Sequence, residues 1–213
     1  MAIRPLSECR LYAFVDTTCL RGRAPEAVAR QLCEGGADLV QLRAKHSSLD
    51  EVRRMAAELQ PVLRSYRVGF VLNDHLQLAR EIGADFCHLG QEDFFGPGGS
   101  QVSSQALIQP GPRLGLSSHS PAEANRALAA GADYLGVGPV YATHTKPEAT
   151  PVTLEYVRWA AANVRVPWFA IGGINLTNLD EVLAAGARRI CVVSAILNAG
   201  DVAGACRQFK ERL

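Results

Sequence analysis

Short apolar runs alternate with amphipathic segments along the chain. Eight runs read as strands: Leu11–Asp16, Leu39–Leu42, Gly69–Leu72, Phe86–Leu89, Arg113–Leu116, Tyr134–Val137, Trp168–Ile171 and Ile190–Val193. Runs this short and this apolar suit strands covered on both faces, as in parallel sheets. Apolar positions recur at helical spacing over Pro25–Glu34, Leu49–Ser65, His75–Ile82, Pro121–Ala130, Leu154–Asn163, Leu176–Ala185 and Val202–Arg212, with Gln101–Gln109 the least regular helical stretch. One turn recurs: Gly36-Ala37-Asp38, Gly83-Ala84-Asp85, Gly131-Ala132-Asp133 and Gly186-Ala187-Arg188 each follow a helix and precede a strand. Glycine just past a helix end accepts the left-handed conformation that stops it. Ser120-Pro121-Ala122-Glu123 reads as a helix start, with Ser120 as N-cap and Pro121 in the first turn.

This repetition predicts an α/β protein, a single (β/α)8 (TIM) barrel domain over residues 1–213, near the lower end of the size range for that fold. A doubly wound open sheet is the structural rival. It usually carries a glycine fingerprint after its first strand, where this chain reads Asp16-Thr17-Thr18-Cys19. Composition is ordinary for a globular domain, 48% hydrophobic and 20% charged. A formal charge of +1 gives no global field for nucleic acid or anionic lipid, so any anion must be held by a local basic cluster. No run approaches the roughly 18–20 apolar residues that span a bilayer, and Met1–Arg10 has no secretory signature. Six scattered cysteines without a C-x-x-C pair point to reduced thiols in a cytoplasmic protein.

The informative polar residues lie just after the strands, where a barrel carries its active site. Gln41, Arg43 and Lys45 are two apart, so an extended chain points all three the same way. Two inward cations call for an anion, with phosphate the obvious candidate. Asn73 and Asp74 follow the third strand and Asp93 follows the fourth. Such carboxylates can share Mg2+ with phosphate oxygens, although Asn73 or Asp74 could equally cap the next helix. Ser117 stands at the tip of the fifth strand. His119 reads more readily as a structural hydrogen-bonding residue than as a catalyst, and His46, His75, His88 and His144 have no zinc spacing. The long loop after the sixth strand brings Thr143, Thr145 and Lys146. Gly172 and Gly173 after the seventh strand, and Ser194 after the eighth, occupy the positions where phosphate sites recur in barrels.

Together these pieces resemble the thiamine-phosphate synthase family: Gln41-Leu42-Arg43-Ala44-Lys45, Leu72-Asn73-Asp74, His88–Asp93, Gly115–His119, Gly136–Tyr141, Thr143–Lys146, Ile171–Ile174 and Val193–Ile196. They run in family order over about residues 10–198. The resemblance implies coupling of a pyrimidine pyrophosphate to a thiazole phosphate, with Mg2+ as cofactor and departure of pyrophosphate before capture of a pyrimidine cation. It implies pyrophosphate contacts from Arg43, Lys45, Lys146 and Asn73, and metal ligands in Asp74 and Asp93. Gln41 would bond the pyrimidine and Ser117 would contact the reacting groups. Thr143 and Thr145 would face either phosphate, and Gly173, Val193 and Ser194 would bind the thiazole phosphate. The expected partners are these two small molecules, with no nucleic acid or membrane; a homo-oligomer is left open.

The chain departs from the family pattern at Phe14-Val15-Asp16, at Arg188-Arg189 and at Thr153, where glycine is common. The rival readings are a thiazole tautomerase, another phosphate-binding barrel such as a sugar-phosphate isomerase or an aldolase using Lys146, and a non-catalytic ligand-binding barrel. Retention of Asn73, Asp74, Asp93 and Lys146 favours the synthase.

Overall fold

The computed structural model describes residues 2–96, 111–143 and 150–213. Eight parallel strands close in sequential order, with β8 returning to β1. They are β1 Leu11–Asp16, β2 Leu39–Arg43, β3 Gly69–Asn73, β4 Phe86–Leu89, β5 Arg113–Ser118, β6 Tyr134–Val137, β7 Trp168–Ile171 and β8 Ile190–Cys191. The α-helices among the described residues are α1 Pro25–Glu34, α2 Leu49–Ser65, α3 Leu76–Glu81, α4 Gln91–Phe95, α5 Pro121–Ala129, α6 Thr153–Asn163, α7 Leu179–Ala184, α8 Ser194–Leu197 and α9 Val202–Glu211. The predicted (β/α)8 barrel is therefore the observed fold, and none of these helices is long and apolar enough to cross a membrane. The predicted helical stretch Gln101–Gln109 lies outside the described residues.

Two differences from the sequence expectation sit at the rim. The run Ile190–Val193 pairs only through Cys191, and the chain then turns at Val193 into α8. The short helix α4 starts directly after β4, with Gly90 as its N-cap. Neither of these two short helices has enough turns to display an apolar period.

The lower end of the barrel is held by the repeated turn. Gly36, Gly83, Gly131 and Gly186 all have positive φ. In each copy the glycine N–H bonds three residues back and the alanine N–H five residues back, as in Ala84 N to Ala79 O at 2.9 Å. That is the Schellman pattern, which satisfies the last helical carbonyls. Arg67 makes the same turn before β3 at φ 58°, without a glycine to announce it. The aspartates of the motif then reach back to the preceding strand: Asp38 accepts from Arg10 and Leu11 N–H, Asp85 from Phe70 N–H, and Asp133 from Leu114 N–H. Asp38 is buried and also pairs with Arg4 and Lys210.

Rings fill the barrel interior. Tyr12, Phe86, Tyr134 and Phe169 are all buried, and Tyr134 meets the other three edge-on at 5.9–6.2 Å between centroids. Gly115 makes room for Tyr134, because a Cβ there would lie 2.1 Å from the Tyr134 ring. All six cysteines are free, and burial pushes the Cys9, Cys33, Cys87 and Cys206 thiols up to about 12.

Gly83 isolates the cost of the left-handed turn, since a Cβ there would meet nothing within 4 Å. Gly83→Ala is expected to destabilise the protein by about 1–2 kcal/mol. Thermal unfolding reads this as a drop of roughly 2–4 °C per kcal/mol. An unchanged midpoint would contradict the role given to the turn.

Candidate active site

Above the rings, side chains pointing inward from successive strands line a cavity at the C-terminal ends of the strands. It holds about 920 Å3 of space, its open mouth included. Phe14, Gln41, Arg43, Asn73, His88, Ser117, Ile171, Cys191 and Val193 all face it. All but Val193, the N-cap of α8, occupy alternate strand positions, as the two-residue period of an extended chain demands. Of the site residues expected from the sequence, Gln41, Arg43, Lys45, Asn73, Asp74, Asp93, Ser117, Thr143, Gly173, Val193 and Ser194 converge here. Thr145 and Lys146 lie outside the described residues.

One side of the cavity is charged. Arg43 donates to the buried carboxylate of Asp16 at 2.7 Å. Asp16 also accepts from Thr18 N–H and Oγ1 at 3.0 and 2.7 Å. A guanidinium carries five N–H donors, so this pair fixes the arginine without exhausting it. Lys45 Nζ lies 3.6 Å from Asp74 Oδ2. Asp74 sits at φ 63°, in the left-handed region that Asp and Asn tolerate better than most residues. α3 has no side-chain cap, so neither Asn73 nor Asp74 is serving there. Burial raises the Asp74 pKa above the ordinary carboxylate value, and the nearby Asp93 charge raises it further against the pull of Lys45. Asp93 accepts from Gly90 N–H at 3.1 Å and so is tied to the start of α4. Among the described residues, no three His, Cys, Asp or Glu side chains gather closely enough to hold a metal on protein ligands alone.

The opposite side is built from glycine and backbone. Gly172 and Gly173 have φ of 102° and 66°. A Cβ at Gly172 would lie 2.4 Å from Pro139, and one at Gly173 would lie 2.7 Å from Tyr141 and Ala142 atoms. The sequence suggested these glycines for close phosphate approach; they are also required for packing under the segment after β6. Next to them α8 begins, with Val193 as its N-cap. Its first bonds come from Ile196 and Leu197 N–H to Val193 O, so the earlier N–H groups precede the helical ladder. A short extra helix after the eighth strand is where barrels commonly bind phosphate.

The back wall is polar and aromatic. His88 Nε2 lies 3.0 Å from Ser117 Oγ, and its Nδ1 lies 3.3 Å from the Tyr134 hydroxyl. Gln41 donates to the Tyr12 hydroxyl. Sequence reading gave His88 no role, although its alternation with Phe86 in β4 marks it as inward-facing. At the mouth, His119 Nδ1 lies 2.8 Å from Glu123 Oε2, the structural pairing expected of it. Ser120 caps α5 as its motif suggested.

A family model described as thiamine monophosphate synthase (TMP-TENI) matches residues 11–196. The chain belongs to that family. A thiamine-phosphate synthase of Halalkalibacterium halodurans is 38% identical over 96% of this chain and 95% of its own length. One of Thermus thermophilus is 47% identical over 84% of each chain. A Gloeobacter violaceus thiamine-phosphate synthase is 48% identical over 84% of this chain, but the match spans only 51% of that longer protein. The solved thiamine phosphate pyrophosphorylase of Pyrococcus furiosus superposes with a TM-score of 0.84 at 32% identity, covering 97% of this chain and 96% of that one. The family member described here is thus an enzyme of the transferase class. Its departure at Thr153 has a structural counterpart: the residue takes φ 63°, a conformation that costs a β-branched side chain but not glycine.

The Asp74 environment predicts a pH-dependent effect. Its folded pKa is raised, so the fold favours the protonated form and the ionised form costs stability at higher pH. Asp74→Asn is therefore expected to raise the thermal midpoint of the metal-free protein at neutral pH. The gain should shrink as pH falls through the folded pKa and vanish below the ordinary carboxylate range. An equal or lower midpoint at neutral pH would contradict this.

Proposed function

We propose that the enzyme joins 4-amino-2-methyl-5-hydroxymethylpyrimidine pyrophosphate to hydroxyethylthiazole phosphate, forming thiamine phosphate and releasing pyrophosphate. The observation that carries this reading is a single cavity with two differently built ends, one of basic side chains and carboxylates and one of glycine and backbone. Arg43, Lys45, Asp74 and Asp93 stand on the β2–β4 side, with Gly173, Val193, Ser194 and the start of α8 on the β7–β8 side.

The bond between the pyrimidine methylene carbon and the pyrophosphate oxygen breaks first, and its electron pair leaves with pyrophosphate. The thiazole nitrogen then supplies the pair for the new carbon–nitrogen bond. Negative charge grows on the leaving group, so groups aimed there lower the barrier more than groups that merely bind. Arg43 is held for this by Asp16 with Lys45 and Asn73 beside it, and the family resemblance gives Lys146 the same role. Gln41 orients the pyrimidine, and Ser117 stands beside the breaking bond. Thr143 would contact one of the phosphates, a role the family resemblance extends to Thr145. Gly173, Val193 and Ser194 hold the thiazole phosphate against the start of α8. No covalent nucleophile is needed.

Two carboxylates close enough to feel each other's charge fit Mg2+, which usually takes one or two carboxylates and completes its shell with phosphate and water oxygens. A divalent cation would also offset the burial and the Asp93 repulsion that together raise the Asp74 pKa. Held by Asp74 and Asp93, it would neutralise charge developing on pyrophosphate.

Incubation of the two substrates should give thiamine phosphate with Mg2+ and none with chelator. Arg43→Ala should reduce turnover by roughly 100- to 1,000-fold, the scale for losing one charge-stabilising donor. Asp93→Asn, which retains an acceptor for Gly90 N–H, should abolish the metal-dependent rate. Failure of the wild-type enzyme to form product under conditions where a related synthase does so would overturn the proposal.

A further inference from the structure

Four polar side chains form a line through the barrel interior and end at Ser117. Gln41 donates its amide N–H to the Tyr12 hydroxyl. The Tyr12 and Tyr134 hydroxyls lie 3.3 Å apart, Tyr134 lies 3.3 Å from His88 Nδ1, and His88 Nε2 lies 3.0 Å from Ser117 Oγ. Tyr12 and Tyr134 are 2% and 0% exposed, and neither lines the cavity. A buried hydroxyl proton left without an acceptor is costly, so each proton along the line must be placed.

The placement follows by elimination. Tyr12 receives the Gln41 N–H, and among the described residues its own proton has one acceptor within reach, Tyr134. Tyr134 therefore accepts from Tyr12 and donates onward to His88 Nδ1. A His88 ring whose Nδ1 accepts is neutral and carries its proton on Nε2. That N–H donates to Ser117 Oγ. The serine proton is then turned away from His88 and toward the cavity.

We infer that the buried line Gln41–Tyr12–Tyr134–His88 fixes Ser117 as a one-way hydrogen-bond donor to the ligand. This deepens the synthase reading and rests on it for what the serine meets. With the opposite polarity, Ser117 would donate to His88 and present lone pairs, which suit a cation. The line as inferred presents a proton, which suits the pyrophosphate oxygen as its charge grows. Tyr12, Tyr134 and His88 are positioning residues, because they act through Ser117.

The test combines nitrogen-15 NMR of the histidine rings with kinetics. In the wild-type protein His88 should be a neutral ring protonated on Nε2 at neutral pH. A ring protonated on Nδ1, a charged ring or an even mixture would overturn the inference. Tyr134→Phe, which removes one oxygen and keeps the ring, should lower kcat roughly tenfold, less than loss of a direct donor, with KM little changed. In a Ser117→Ala background the same substitution should have no further effect on kcat. A full additional loss there would show that the tyrosine acts on packing and would overturn the inference. Tyr12→Phe provides the same cycle if Tyr134→Phe does not fold. The ring measurement needs no substrate. A correct tautomer with no product would sink the synthase reading alone, whereas a wrong tautomer with normal product would sink only the line.

Discussion

A closed barrel of eight strands has an interior that must be filled, and here the filling depends on Tyr134 occupying the space left by Gly115. That ring meets Tyr12, Phe86 and Phe169 edge-on and makes a buried floor. The remaining architecture follows from where the floor stops. Below it the inward positions include Leu39, packed against Phe86 and Gly69, and Arg113, whose guanidinium lies over the Phe86 ring. Above it the same strands can point Gln41, Arg43, Asn73, His88 and Ser117 into a cavity. The two tyrosine hydroxyls are the cost of using large rings, and they are satisfied by the polar line that rises to the rim.

The two ends of the barrel use charge differently. At the lower end, Asp38, Asp85 and Asp133 accept backbone N–H groups from neighbouring strands, and Asp38 is further paired with Arg4 and Lys210. Those carboxylates hold the strands in place. At the upper end, Arg43 is anchored on one side by Asp16, while Asp74 is held beside Asp93 against its preference for ionising alone. Burial and like charge at Asp74 are unfavourable for the empty fold, and they are what a bound cation would reverse. Stability and chemistry are thus separated by the length of a strand.

The fold was legible because its signals are periodic. The apolar runs, the helical spacing and the four glycine turns agree at every level, and alternation along β2 aims Gln41 and Arg43 at the cavity, while Lys45 reaches it from the turn beyond the strand end. The signals that escaped are those without a period or a characteristic residue. Arg67 makes the glycine turn with a side chain that gives no warning. α4 and α8 are too short to show a face. The pairing of Asp16 with Arg43 joins residues 27 apart in sequence, and the part played by His88 depends on two tyrosines from other strands. Thr153 was visible as a departure from the family pattern, but its meaning required φ.

The central claim is that the rim divides into a pyrophosphate side and a phosphate side. The most direct measurement is a crystal structure with Mn2+ standing in for Mg2+, soaked with pyrophosphate and hydroxyethylthiazole phosphate, with the metal located by anomalous scattering. The account predicts an anomalous peak bridging Asp74, Asp93 and pyrophosphate, Arg43 and Lys45 against the pyrophosphate, and the thiazole phosphate seated at Gly173 and the start of α8. A metal away from both carboxylates, or a thiazole phosphate bound at Arg43 and Lys45 with pyrophosphate absent from that side, would contradict it.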